Sequence, residues 1–189
     1  MRLYALVVLA FLVACGGAST ADETAATVAH RLQAFAMDPF ETPIGDWGID
    51  QNALALIAAR FGAPMATDVV AIPDRTSDAM LNEHVIDYDG VRFRVGESES
   101  GDRSWIMVTE ITGNAFPMKF GLAIGSTRDD VERVFEPEPS AVPRNPLVLT
   151  ATTNPELPDL ATWEGGTIDV MMTFAADRLT KVVVVSSVL

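Results

Sequence analysis

The chain has 189 residues, 49% of them hydrophobic, with 26 Asp and Glu against 13 Lys and Arg and a net charge of -13. A domain of about 150 residues buries roughly 70% of the surface its unfolded chain exposes, so this length and apolar content support a packed core rather than a disordered chain. One cysteine excludes an intrachain disulfide, and the acidic balance argues against nucleic acid, whose phosphates need clustered Lys and Arg; no nucleic-acid partner is expected.

At the N-terminus, Arg2 precedes an apolar run from Leu3 to Val13, the basic and hydrophobic regions of a secretory signal. The run is shorter than the roughly 20 residues that a membrane-spanning helix needs. The residues Leu12-Val13-Ala14-Cys15 resemble the lipobox of bacterial lipoproteins, with the chain's sole cysteine where that family places it. The resemblance implies removal of residues 1–14 as a signal peptide, a diacylglycerol thioether on Cys15 and usually an amide-linked third chain, and so a stable contact with the membrane through lipid. Gly16 after the lipidated residue, where an Asp would signal retention, implies the periplasmic side of the outer membrane in a Gram-negative cell.

Residues 15–21 read as a small-residue tether. Asp22-Glu23-Thr24 then opens a helical pattern with Ala25, Val28, Ala29, Leu32, Phe35 and Ala36 on one stripe, ended by Met37-Asp38-Pro39. A second helix is expected from about Asp50 to Phe61, with Leu54, Ile57 and Phe61 inward and Gly62-Ala63-Pro64 as its stop. Next, Val91, Phe93 and Val95 alternate with Arg92 and Arg94 behind the turn Asp89-Gly90, which predicts a hairpin of residues 84–88 and 91–95. An acidic loop, residues 96–102, joins it to a strand over 104–112. A third helix begins at Ser126 or Thr127, with Asp129 and Asp130 supplying a capping-box-like start and Val131, Val134 and Phe135 buried. Alternation over Ile168, Val170, Met172 and Phe174 gives another strand. The nearly unbroken apolar run from Lys181 to Val185 predicts a central strand covered on both faces.

Landmarks recur along the chain. Tyr88-Asp89-Gly90 returns as Trp163-Glu164-Gly165, and the helix end at Phe61 returns at Phe135, suggesting two copies of a helix followed by about four antiparallel strands. The expected fold class is therefore α+β: two tandem helix-plus-antiparallel-sheet repeats with helices on one face of the sheet. The domains are N-terminal helices and first repeat over 22–113 and a second repeat over 114–189. Ala123-Ile124-Gly125-Ser126-Thr127 leading to Val131 and Phe135, then Trp163-Glu164-Gly165 and two closing strands, resemble the tandem proteins of the beta-lactamase inhibitory protein type and the single-unit BamE/SmpA outer-membrane assembly lipoproteins. The resemblance implies an architecture and a habit of binding proteins. It transfers no binding residue.

The search for chemistry yields little. With Cys15 committed to lipid, Ser and Thr remain as nucleophiles and need a base. His30 lies on a helix beside Arg31 and reads as a solvated face. His84, with Glu83, Asp87 and Asp89 nearby, is where a hydrolytic pair would have to be built, yet it lacks metal-ligand spacing. No catalytic set, metal or cofactor is expected. Recognition falls to aromatic residues: Trp105, Trp163, Phe116 and Phe120 are the expected interaction residues, and interfaces favour such anchors. The segment 137–158, with six of the eleven prolines, reads as a binding arm or as an edge strand at Leu147-Val148-Leu149. The expectation is a non-enzymatic protein-binding module with an envelope protein as partner, against a small-ligand carrier or sensor and, further off, a hydrolase built on His84.

Overall fold

Strand residues sort into two sets by period two, and the hairpin at Asp89-Gly90 shows how. The computed structural model describes residues 20–44, 52–73, 79–135, 144–152 and 167–187. Strands β2 (Met80–Tyr88) and β3 (Val91–Ser98) pair antiparallel with Tyr88 opposite Val91 and Ile86 opposite Phe93. These four side chains are buried, while Arg92 and Arg94 on the alternate positions are exposed. Gly90 closes the turn with φ of +71°, and a Cβ there would meet the backbone of Gly113 at 2.5 Å, so two glycines let the turn and the end of the next strand touch.

The remaining strands are β1 (Ala66–Pro73), β4 (Ser104–Ile111), β5 (Leu147–Thr152), β6 (Thr167–Ala175) and β7 (Arg178–Ser187). All seven form one antiparallel sheet in the order β1-β2-β3-β4-β7-β6-β5. Two meanders, β1 to β4 and β5 to β7, thus meet through their last strands. With helices α1 (Thr20–Met37), α2 (Ala53–Phe61) and α3 (Arg128–Phe135) and a 3-10 turn at Lys119–Gly121, the fold is α+β with an antiparallel sheet. Strand β1 has no counterpart among the strands expected from sequence. In the second meander three strands are described, where about four were expected.

Core packing follows the buried set. Phe93 is fully buried, with Phe61 at 5.0 Å, Tyr88 at 6.1 Å and Phe40 at 6.2 Å between ring centroids. Phe61 brings α2 to this cluster, and Phe40 brings the segment after α1. Edge-to-face geometry at Phe40–Phe61 and Phe35–Phe135 adds about 0.5–1.5 kcal/mol per pair beyond area burial. On the second meander Val170, Met172, Val182, Leu179 and Leu147 are fully or almost fully buried. Arg128 lies with its guanidinium 4.1 Å above the Phe174 ring while donating to Asp177 and to the Arg144 carbonyl.

Three expectations change. Strand β3 runs to Ser98, so Glu97 belongs to the sheet rather than to the acidic loop, because cross-strand pairing to β2 persists to Leu81–Ser98. Strand β7 is central, between β4 and β6, but Val183 and Val185 are half-buried rather than covered on both faces. On α1, Phe35 and Ala36 are buried as the stripe predicts, whereas Ala29 is exposed, because contacts to the core begin about one turn later. The third helix has its cap as read: Thr127 Oγ1 and backbone N–H donate to Asp130 Oδ2, and the Asp130 N–H donates back to Thr127 Oγ1.

Phe93→Ala is expected to cost about 3–5 kcal/mol in urea-induced unfolding, the range for a truncated, fully buried aromatic. Thr127→Ala is expected to cost about 1 kcal/mol. Hydrogen bonds from Thr127, then from Arg133, hold the Asp130 carboxyl below its usual value of 3.8. Its contribution is therefore present above that value and lost as pH falls through the lower folded one. NMR titration should show Asp130 moving up toward 3.8 in Thr127→Ala; an unmoved titration would reject the cap as its cause.

Candidate functional site

The strand residues opposite the Phe93 set carry the first of the predicted interaction residues. Ile106 pairs with Val95 and is buried, so its neighbour Trp105, opposite Gly96, emerges on the other side of the sheet. A Cβ on Gly96 would stand 2.8 Å from Cε2 and Cζ2 of the indole. The ring therefore lies directly on the Gly96 backbone, half-buried, with the glycine acting as its seat. The same cross-strand row continues through Glu83 to Val70. Glu83 is buried and takes the Arg94 guanidinium; Val70 is 55% exposed.

Around Trp105 this set is largely apolar. Val85, Val108, Met171, Val183 and Val185 are half-buried, and Val148 is 46% exposed. Three opposite-sign pairs cross adjacent strands here, Arg94 with Glu83, Arg92 with Asp87, and Lys181 with Glu110 at 3.9 Å, while Asp169, opposite Val185, accepts from the Thr150 hydroxyl. Arg92 holds the Asp87 carboxyl below its ordinary range. Of the three pairs, only that of Arg94 has a buried member, Glu83; the other two are solvent-exposed and add little to stability. Together the three offset much of the charge around a surface of valine, methionine and indole.

The other predicted residues go elsewhere. Phe116 joins the cluster of Phe40 and Phe61, at 4.5 Å from the Phe61 centroid, with the Arg60 guanidinium stacked over both Phe61 and Phe116. It is a packing residue on the Phe93 side. Phe120 sits in the 3-10 turn with φ of +62°, 43% exposed, its ring against Phe135. Trp163 and Cys15 lie outside the described residues. Thus Trp105 is on one side of the sheet and Phe116 is in the core cluster of the other, so the predicted aromatic residues among the described ones do not form one patch.

His84 alternates with Ile86 on β2, in the Phe93 set, and its Nε2 is 2.8 Å from Glu97 Oε2 with both side chains mostly buried. Asp87, which the sequence places near His84, points to the opposite side and binds Arg92. His84 thus shares its side with Glu97, while Glu83 and Asp87 lie on the other. A second polar contact lies beside the pair: Ser104, opposite Glu97, donates to Asn52 Oδ1 and accepts from the Leu54 N–H, tying β4 to the start of α2. In the acidic loop, the Ser98 and Ser100 hydroxyls both donate to Asp102 Oδ1 and keep its carboxyl below its usual range, Ser100 with the larger effect. Among the described residues, no group of three or more His, Cys, Asp and Glu could hold a metal ion, and no helix is long and apolar enough to cross a membrane.

No protein-family model matches the chain, and no curated protein or solved structure is significantly similar to it.

Sequence reasoning missed two features. The apolar second set was hidden in the valine run 182–185, which was read as doubly covered. Strand β1 was signalled by β-branched residues in Ala66-Thr67-Asp68-Val69-Val70-Ala71-Ile72, between the helix stop and the hairpin.

Gly96→Ala is expected to lift the indole from its seat and to cost about 1–3 kcal/mol in urea unfolding, the usual range for overpacking. In a Trp105→Ala background the same substitution should cost much less; equal costs in the two backgrounds would show that Gly96 is not the seat of the ring.

Proposed function

We propose that this chain is a lipid-anchored, non-enzymatic protein-binding module on the periplasmic side of the outer membrane, and that it binds through the sheet side carrying Trp105 and Val183. The reading rests chiefly on that side's composition: half-buried valines and an indole on a sheet, with most of the charges around them paired across strands. Apolar groups left accessible on such a scaffold mark protein contact surfaces. Trp105 is an anchor whose orientation is already fixed by Gly96, so little side-chain entropy is lost when a partner covers it.

The architecture supports two further parts of the proposal. Each meander follows a helix, α2 before β1 to β4 and α3 before β5 to β7, in keeping with two repeats of one plan. Phe61 packs on Phe93 and Arg128 on Phe174, and α1 approaches β5 and β6, contacts that favour helices covering a single side and leaving the Trp105 side free. Such an arrangement is like that of the beta-lactamase inhibitory proteins and BamE/SmpA lipoproteins named above. The anchor is proposed from the lipobox, and so are the membrane contact and the envelope partner.

Two readouts test this. Labelled palmitate should enter the wild-type chain and be lost in Cys15→Ser. A photo-crosslinking residue at Val183 should capture one stoichiometric envelope protein in cells, and the yield should fall in Trp105→Ala, whereas the same residue at Ala59 on α2 should capture none. Equal capture at both positions would overturn the Trp105 side as the binding surface, and palmitate labelling that survives Cys15→Ser would overturn the anchor.

A further inference from the structure

Strand β1 ends the sheet, and among the described residues no strand or bridge pairs with its outer side. It is eight residues long, in unbroken register with β2 from Ala66–Asp87 to Pro73–Met80. Every residue except Ile72 is exposed, with Val69 at 56% and Val70 at 55% although they point to opposite sides of the sheet. Proteins usually blunt such an edge with a lysine, a bulge, a mid-strand proline or a cover. Here there is no lysine or arginine, no register shift, and a proline only at the last position. The opposite edge differs: β5 has six residues and begins directly after Pro146.

We propose that β1 is a homodimerisation edge, pairing antiparallel with β1 of a second copy about a two-fold axis at Val70, so that two sheets join into one. A two-fold axis normal to an antiparallel ladder passes through a directly opposed pair, so some residue must face its own copy. Centring on Val70 places Val70 against Val70, Val69 against Ala71, Asp68 against Ile72 and Thr67 against Pro73. Three of the four contacts are then between small, apolar or β-branched groups, of which β-branched pairs favour cross-strand packing, and the fourth sets the exposed Asp68 carboxylate beside Ile72. The pairing stops where Pro73 has no N–H to donate. The sole charge of the strand, Asp68, never faces itself. The two copies lie four positions apart, about 13 Å along the strand at the usual rise and beyond a Debye length of about 8 Å at physiological salt.

Val70 ends the cross-strand row of Trp105, but the pairing runs through the outward backbone of β1, and self-association is read on the purified chain, apart from any envelope partner. Seven residues a side make an interface at the small end of the range, below about 1,200 Å². The dimer is expected to be reversible. Since both copies carry a net charge of -13, it should tighten as salt is raised.

The test is disulfide trapping of the full chain in cells. Val70→Cys should give an oxidant-dependent dimer on non-reducing gels. Ala71→Cys, which faces Val69, should give far less, and the wild-type chain with Cys15 alone none beyond background. In sedimentation equilibrium of the detergent-purified chain, Val70→Lys should weaken association by roughly tenfold or more, and Val148→Lys on β5 should leave it unchanged. A chain that is monomeric at every concentration and salt, trapping at position 71 equal to that at 70, or loss of the dimer only in Val148→Lys would each overturn the proposal. Both substituted positions are exposed, so neither variant removes core packing.

Discussion

Four residue pairs hold the two meanders together: Val108–Val185, Thr109–Val184, Glu110–Val183 and Ile111–Val182. The other ladders of the sheet have six to nine. This short seam sets the register of everything else, since a slip of one residue would exchange the buried and half-buried sets of an entire meander. Ile111 and Val182 are fully buried opposite each other, and Thr109 is buried opposite Val184. On the reverse side, Glu110 next to Val183 brings Lys181 within reach of its carboxylate. The core of the second meander and the accessible valines of the Trp105 side are thus fixed by the same four pairs.

The connection that crosses the seam is tied down at several points, which spares the ladder from carrying the junction alone. Phe40 bridges to Met118, the Lys119 N–H donates to the Pro39 carbonyl and the Glu41 N–H to the Pro117 carbonyl. Asn114 clips the Ile124 backbone through both its side-chain oxygen and nitrogen. Lys119 then reaches the Ala34 carbonyl near the end of α1, where burial keeps its amine below the ordinary lysine range and Asp38 partly restores it. Asp38 in turn accepts the N–H groups of Phe40 and Ile44, shaping the bend after α1. A helix end, a turn and an inter-meander connection are therefore stabilised together, by polar groups whose partners lie far apart in sequence.

Local chemistry made much of this legible from the chain itself. Asp89-Gly90 announced the β2–β3 hairpin, Thr127 with Asp130 announced a helix start, and the stripe through Phe35 announced the buried side of α1. What stayed hidden depends on non-local geometry. No residue pattern shows that β7 inserts between β4 and β6, so the exposure of Val183 and Val185 could not be read from an apolar run. Gly96 and Trp105 are ordinary residues until β3 and β4 pair, when one becomes the seat of the other. Likewise the aromatic segment around Phe116 looks like a recognition surface in one dimension and proves to be a wall of the core, because Phe61 and Phe40 fold onto it.

Edge position has a further consequence for β1, in terms of local opening. In the sheet the strand is secured only by its eight pairs to β2, and its own side chains bury little. Regions with few buried contacts open at free energies well below that of global unfolding. Amide exchange along β1 should accordingly be faster than along β7, which has a neighbour on either side. A strand held this lightly can be peeled from β2 without disturbing the aromatic cluster, which makes the first meander open to strand exchange while the rest of the sheet stays closed.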